Sequence, residues 1–355
     1  MNTSTKPWML YGANGFTGAL IAREAQKREM AVVLAGRSEE KIIPLAKELN
    51  FPYEIFSLES VETIKEKIGQ CSLVLLCAGP FSKTSENMVQ ACLELGIHYL
   101  DITGEIAVLE RVLSLDSQAK KSGSVLIPGV GFDVVPSDCL AKILSEKLPE
   151  AQELNLAFTG EATLSAGTSK TMLENIPMGS KIRKNGKIIS VPLFSIFKNI
   201  PILSNKPLSC STIPWGDVAS AFYSTHIPNI AVYGPAFQWT RWLKTPMQLL
   251  SPVLAHNQVQ NLFKRQIEKK VKGPSEEEQM TSKMYLWGQV RKGRETIHGR
   301  LVVPEGYRFT MLTALRSVEK VLSGGIKPGS YTPSMAFGGQ FIKEFPEVYL
   351  KLGDS

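Results

Sequence analysis

The stretch Gly12-Ala13-Asn14-Gly15-Phe16-Thr17-Gly18 lies between an apolar run, Trp8 to Tyr11, and an amphipathic stretch that opens at Ala19. A strand has to reverse into a helix here. Glycines at G-x-x-G-x-x-G spacing supply the unusual backbone angles, the close backbone approach and the room for helix on strand that such a turn needs. Leu20, Ile21, Ala22 and Ala25 then fall at helical spacing, with Arg23, Glu24, Lys27 and Arg28 on the outer side. The N-terminus of that helix offers unpaired N–H groups and partial positive charge to phosphate. The spacing departs from the stricter G-x-G-x-x-G, so the turn taken alone fits a dinucleotide cradle or an ordinary strand-to-helix junction.

The sequence beyond the turn favours the cradle. Ala31 to Ala35 is a continuous apolar run of the kind a strand covered on both faces shows. It ends at Gly36-Arg37-Ser38, about 20 residues past the cradle, where an acid would hold the ribose 2′-hydroxyl of NAD. Arg37 stands there instead, with a guanidinium suited to a 2′-phosphate, and Ser38 adds a hydroxyl. This pattern predicts NADP(H). The plainer alternative has Ser38 capping the next helix, with Glu39 and Glu40 in its first turn and Arg37 on the surface.

Strand and helix keep alternating: a helix over 39–49 containing Pro44, a strand over 53–56, a helix over 61–68 and a strand over 73–77. The last ends in Cys77-Ala78-Gly79-Pro80-Phe81, a small-residue turn at a strand's carboxyl end, where open α/β sheets place ligands. A helix carrying Met88, Val89, Cys92 and Leu93 stops at Gly96. The strand Ile97 to Asp101 follows. Asp101, Thr103 and Glu105 then face the same crevice or cap a helix over 108–119. A sixth strand, 124–127, ends at Pro128-Gly129-Val130-Gly131-Phe132-Asp133.

These motifs resemble those of the saccharopine dehydrogenase-like oxidoreductases, including members called trans-acting enoyl reductases. The family's G-A-x-G-F-T-G matches residues 12–18, its A-G-R matches Ala35 to Arg37, and its A-G-P-F matches Ala78 to Phe81. Its Y-x-D-x-x-G-E matches Tyr99 to Glu105, and P-G-x-G-F-D-x-x-P-S-D matches Pro128 to Asp138. Similar segments recur at Gly167-Thr168, Gly179 to Pro192, Ile213 to Asp217, Gly306-Tyr307 and Pro328 to Ser334, so the resemblance runs through the whole chain. Cys77 stands where the family commonly has asparagine. The resemblance implies an NADP-dependent oxidoreductase.

Downstream the composition shifts to longer polar loops with proline and glycine. Strands are predicted over 154–158, 182–191 with an Asn185-Gly186 hairpin, 230–232, 283–291 and 295–303, and helices over 137–148, 168–175, 218–223, 259–271 and 311–322. The fold expected is α/β: a Rossmann-type doubly wound parallel sheet (residues 1–136), an α+β substrate or dimerisation domain with a mostly antiparallel sheet (137–325), and a C-terminal segment (326–355) packing back on the first domain. Lys269 to Glu278, with Gly273-Pro274 and successive glutamates, reads as a mobile loop. Trp239 to Leu254, rich in large apolar residues, reads as core, homodimer interface or a lipid-facing element.

Composition narrows the remaining classes. The net charge of +7 over 355 residues is modest, and its basic clusters carry no nucleic-acid motif. Five cysteines without a C-x-x-C pair, and four histidines without ligand spacing, predict reduced thiols and no metal. The segment 188–203 is broken by Pro192, Lys198 and Pro201, and the first residues form no signal core, so a cytoplasmic chain with no transmembrane segment is expected.

The site is predicted to use Gly12, Asn14, Gly15, Phe16, Thr17, Gly18, Arg37, Ser38, Cys77, Ala78, Gly79, Pro80 and Asp101 for the cofactor, with Glu105, Asp133 or Tyr99 as proton donor. The substrate is a small molecule or lipid bearing C=N, C=O or an activated C=C. No Tyr-x-x-x-Lys pair supports a short-chain dehydrogenase mechanism. The competing reading is a non-catalytic NADP-binding sensor or scaffold at a lipid surface or on a partner protein.

Overall fold

The computed structural model describes residues 6–160, 165–175, 179–203, 206–243, 256–271 and 273–354. The chain forms two units. One runs to Val135 and takes up Tyr307–Ala336; the other comprises Pro136–Gly306 and the chain from Phe337 onward.

In the first unit, β1 (Trp8–Tyr11), α1 (Phe16–Lys27), β2 (Val32–Gly36), α2 (Glu39–Leu49), β3 (Tyr53–Ile55), α3 (Val61–Ile68), β4 (Leu73–Leu76), α4 (Phe81–Leu95), β5 (His98–Asp101), α5 (Ile106–Leu113), α6 (Asp116–Ser122) and β6 (Val125–Ile127) follow in order. The strands pair in parallel in the order β6-β5-β4-β1-β2-β3. Every residue of β1 and β4 is buried, as in a sheet covered on both faces. Trp8 pairs with Val32 on one side and Leu73 on the other. The strand order therefore reverses between β1 and β4, and the crevice outside their carboxyl ends is where such sheets bind ligands.

Two features depart from the expectation. The sheet has seven strands, because Gly329–Ser330 adds in parallel beside β6. Ser330 Oγ donates to the Val112 carbonyl at 2.8 Å and its N–H donates to Asp116 at 3.1 Å. So short a strand leaves no apolar run to read. The helix expected over 108–119 is two, α5 and α6. At the break, Ser114 Oγ donates to the Arg111 carbonyl at 2.7 Å, a local bond that competes with helix propagation.

In the second unit, α7 (Val135–Lys147) leads into β7 (Glu153–Gly160), α8 (Ala166–Asn175), β8 (Ser180–Lys184), β9 (Lys187–Val191), β10 (Phe197–Ile200), β11 (Leu208–Thr212), α9 (Asp217–Thr225), β12 (Asn229–Pro235), β13 (Lys283–Lys292) and β14 (Glu295–Pro304), with a last strand at Tyr349–Asp354. The sheet runs β10-β11-β12-β7-β13-β14 and then Tyr349–Asp354, with β8 and β9 branching from β12. All its pairings are antiparallel except β12 with β7. Asn185 and Gly186, at φ 50° and 77°, make the tight β8–β9 turn. Gly288 and Gly299 face each other across β13 and β14 and admit α7, since a Cβ on Gly288 would sit 2.9 Å from Leu144 and one on Gly299 3.1 Å from Leu140. A second cluster (Ala157, Ile200, Ile202, Cys210, Tyr233 and Trp287) forms the other core of this sheet.

The segment read as a mobile loop, Lys269 to Glu278, is helical at both ends. Asn257–Lys270 is one helix, and Glu276–Thr281 is another, started by a reciprocal Ser275–Glu278 capping box. The successive glutamates complement the partial positive charge of that helix start. Of the Trp239 to Leu254 stretch, Gln238–Leu243 is a 3-10 turn, with Phe237, Trp239 and Trp242 exposed by 71, 60 and 82%. Met247, Leu249, Leu250 and Leu254 lie outside the described residues. Among the described residues no helix is long and apolar enough to cross a membrane.

Gly288→Val is expected to destabilise the second unit by about 1–3 kcal/mol through overpacking against α7, read as a lower urea midpoint with an unchanged m value.

Candidate functional site

The β1–α1 turn is built on steric exclusion. Gly12 has φ +85°, and a Cβ there would lie 2.8 Å from the Ala78 nitrogen, so the loop touches the end of β4 only because this residue has no side chain. Its N–H and that of Ala13 donate to the Ala35 carbonyl at 2.8 and 3.2 Å, tying the turn to the end of β2. A Cβ on Gly18 would lie 2.2 Å from the Gly12 carbonyl oxygen, so α1 seats on the turn at backbone distance. Gly15 is the N-cap of α1, which has neither a side-chain cap nor an acid in its first turn. That leaves the helix start open to an anion. Asn14 is exposed, and a Cβ on Gly36 would lie 2.9 Å from its side-chain oxygen. Phe16 stacks edge-on against Tyr307, with centroids 5.0 Å apart.

At the end of β2, Arg37 is exposed and makes no ion pair among the described residues. It faces the neighbourhood of the Tyr11 phenol, which burial pushes up to about 12 against the pull of the guanidinium charge. Ser38 occupies the N-cap of α2, but its hydroxyl makes no capping bond.

At the end of β4, the Cys77 N–H donates to the Tyr11 carbonyl at 2.8 Å and burial raises the thiol pKa. The Gly79–Pro80 peptide is cis. Glu105 grips this turn from the end of β5. Its two carboxylate oxygens accept the N–H groups of Phe81 at 2.6 Å and Ser82 at 2.9 Å, so it caps α4 from a distant part of the chain. Thr84 Oγ1 donates to the Ala78 carbonyl at 2.6 Å from within the same helix.

Asp101 and Tyr99 lie beneath this edge, both with no exposed surface. Asp101 accepts the Tyr99 hydroxyl at 2.7 Å and the N–H groups of Thr103 at 2.9 Å and Gly129 at 2.8 Å. Burial pushes the Asp101 carboxyl up to about 6, with these three bonds pulling the other way. Burial, then the Asp101 charge, holds the Tyr99 phenol well above its ordinary value. Both groups knit β5 to the loop after β6 and lie away from the solvent-facing crevice.

Asp133 differs from the other carboxylates. It is partly buried, stands over Gly104 (a Cβ there would lie 2.8 Å from its Oδ2), and makes no hydrogen bond or ion pair among the described residues. Burial alone pushes its carboxyl up to about 7. The loop that carries it is clamped: Val130 N–H donates to the Asp101 carbonyl, Phe132 N–H to Thr310 Oγ1, and Thr313 Oγ1 to the Val130 carbonyl, at 2.8, 2.9 and 2.8 Å. Thr310 and Thr313 belong to the Gly306–Leu322 helix, whose apolar stripe gave no sign of this contact. These bonds explain why the segment from Tyr307 joins the first unit rather than the 137–325 stretch.

The carboxyl ends of the parallel strands thus bring together the glycine turn, Arg37, the 77–80 turn, Glu105 and Asp133. Residues 8–127, which span this sheet, match the family model of the saccharopine dehydrogenase NADP binding domain. Over those residues the chain is therefore similar to an NADP-binding domain of the saccharopine dehydrogenase type, as the motifs implied. Over 97% of its length the chain is 23% identical to a probable mitochondrial saccharopine dehydrogenase-like oxidoreductase of Arabidopsis thaliana, covering 96% of that protein. A trans-acting enoyl reductase of Mycobacterium leprae is 33% identical over 37% of this chain and 33% of its own length. The saccharopine dehydrogenase (L-Glu forming) of Saccharomyces cerevisiae, in its apo form, shares the fold with a TM-score of 0.66 at 14% identity, covering 99% of this chain and all of that one.

Asp101 and Asp133 bind more protons in the folded chain than in the unfolded one between pH about 4 and 7, so folding stability falls as pH rises through that window. Asp133→Asn is expected to flatten that decline, leaving the smaller Asp101 contribution; denaturant midpoints measured from pH 4 to 8 check this.

Proposed function

We propose that this chain is an NADP-dependent oxidoreductase that exchanges hydride with a C=N, C=O or activated C=C of a small molecule or lipid, Asp133 moving the accompanying proton. The observation that carries the reading is Asp133: an unpartnered carboxyl at a strand end, titrating at about 7. A general acid or base works best with its pKa near the operating pH. When bound, the dinucleotide supplies the hydride at nicotinamide C4.

The chain's own residues then divide the work. Gly12, Asn14, Gly15, Thr17 and Gly18 form the pyrophosphate cradle: the glycines let the turn, β4 and α1 close on one another at backbone distance, and the open start of α1 offers its N–H groups to the phosphates. Arg37 and Ser38 hold the 2′-phosphate. Cys77, Ala78, Gly79 and Pro80 border the nicotinamide. Phe16 supports the cradle through Tyr307. Glu105, Tyr99 and Asp101 are positioning residues: Glu105 orients the 77–80 turn, and Tyr99 with Asp101 holds the loops that carry Glu105 and Asp133.

A lipid substrate is favoured by the exposed Phe237, Trp239 and Trp242 of the second unit, with Phe237 and Trp239 stacked at 6.4 Å. Trp at such exposure suits a lipid–water interface. Co-sedimentation with phosphatidylcholine vesicles is expected to fall several-fold in a Trp239→Ala/Trp242→Ala double variant. Equal sedimentation would remove the lipid surface from the proposal.

With a panel of imines, ketones and enoyl thioesters, NADPH oxidation by Asp133→Asn is expected to drop about 10²–10⁴-fold with cofactor affinity retained. In the reductive direction the wild-type rate should fall as pH rises through about 7, while the variant profile stays flat. Arg37→Ala should weaken NADPH far more than NADH in equilibrium titrations, and equal losses would overturn the role given to Arg37. Tight NADPH binding with no turnover across the panel would favour the sensor reading.

A further inference from the structure

The sheet of the second unit curls far enough for Lys198 of β10 to reach Gln289 of β13, its ammonium donating to Gln289 Oε1 at 3.4 Å. Between them is a cavity of about 170 Å³ lined by Lys198, Asn199, Pro201, Trp287, Gln289 and His298. It is small beside the roughly 300–1,000 Å³ of pockets that take whole drug-sized ligands.

Its lining is donor-rich and carries one uncompensated positive charge. Lys198 lies 5.6 Å over the Trp287 ring and makes no ion pair among the described residues. The carboxylate nearest in effect, Glu153, is held in a two-bond pair by Arg291. Burial holds the Lys198 ammonium below its ordinary value, so the charge is partly stripped of water. Trp287 is 3% exposed, and its indole N–H has no hydrogen-bond partner. That nitrogen has almost no accessible surface, so Trp287 meets the cavity with its ring rather than its N–H. Gln289 turns its oxygen to Lys198, leaving its amide N–H groups as further donors. The His298 ring completes the wall.

We propose that this cavity is a binding site for a small monocarboxylate, its carboxylate held by Lys198 and the Gln289 amide, with the Trp287 ring and Pro201 against its short apolar body. One cation suits a singly charged group; an inorganic phosphate, near two negative charges at neutral pH, would be left undercompensated. The volume admits a short-chain acid and excludes a dinucleotide. Every lining residue belongs to the second unit, so the site stands independently of the oxidoreductase reading.

The test is calorimetric titration of the full chain, without cofactor, with butyrate, its neutral isostere butyramide, and inorganic phosphate. Saturable binding of butyrate is expected, with no binding of butyramide or phosphate. Lys198→Met, which keeps the aliphatic stem, should weaken butyrate by about 10-fold or more. Because Lys198→Met removes a desolvated charge, its thermal midpoint without ligand should equal or exceed that of the wild type. Non-saturable butyrate heats, equal binding of butyramide, preferential binding of phosphate, or unchanged butyrate affinity in Lys198→Met would each overturn the proposal. So would a lowered midpoint in Lys198→Met together with no butyrate binding by the wild type, which would make Lys198 a structural residue.

Discussion

The buried carboxylate of Asp101 is the interaction on which the crevice of the first unit depends. It accepts the Tyr99 hydroxyl and the N–H groups of Thr103 and Gly129, and so joins the end of β5 to the loops on either side of it. From the Thr103 side the chain delivers Glu105 to the start of α4; from the Gly129 side it delivers Asp133 to its place over Gly104. A carboxylate with no exposed surface is tolerable only because its bonds replace water. Even so, burial leaves it titrating near 6.

The same economy of space governs the glycine turn. Gly12 and Gly18 are required because atoms of β4 and of the turn itself occupy the volume where a Cβ would stand. The contact that makes the turn narrow also brings Ala78 beside it, so the phosphate cradle and the 77–80 turn share one wall. Glu105 then holds that wall by capping α4. Four carboxylates and phenols that look alike in a motif thus take separate parts: Tyr99, Asp101 and Glu105 spend their polar atoms on the scaffold, and Asp133 keeps its own unpaired.

Much of this was legible along the chain. Local pattern marks β1, β2 and β4, because parallel strands buried on both faces must be continuously apolar, and it marks the turn, because few residues tolerate φ +85°. The Asn185-Gly186 hairpin was readable for the same reason. The S-x-x-E signature of Ser275 to Glu278 was also present, yet successive glutamates beside Gly273-Pro274 read as a loop; the reciprocal capping bonds make them a helix start. Gly329–Ser330 had no local signature, since its pairing with β6 comes from residues more than 200 positions away in the chain.

The amino-acid sequence by itself determined that the first unit is a parallel α/β sheet with a glycine turn made for a dinucleotide and an arginine where NAD-type domains have an acid. These are properties of neighbouring residues, set by period, backbone angle and charge. Tertiary structure alone decided what each polar residue of the motifs does. Whether a carboxylate is a scaffold tie or a free acid depends on the donors that folding brings within 3 Å and on the water it removes, as the contrast between Asp101 and Asp133 shows. The donor-lined cavity at Lys198 has the same origin, arising from strands that the chain separates by about 90 residues.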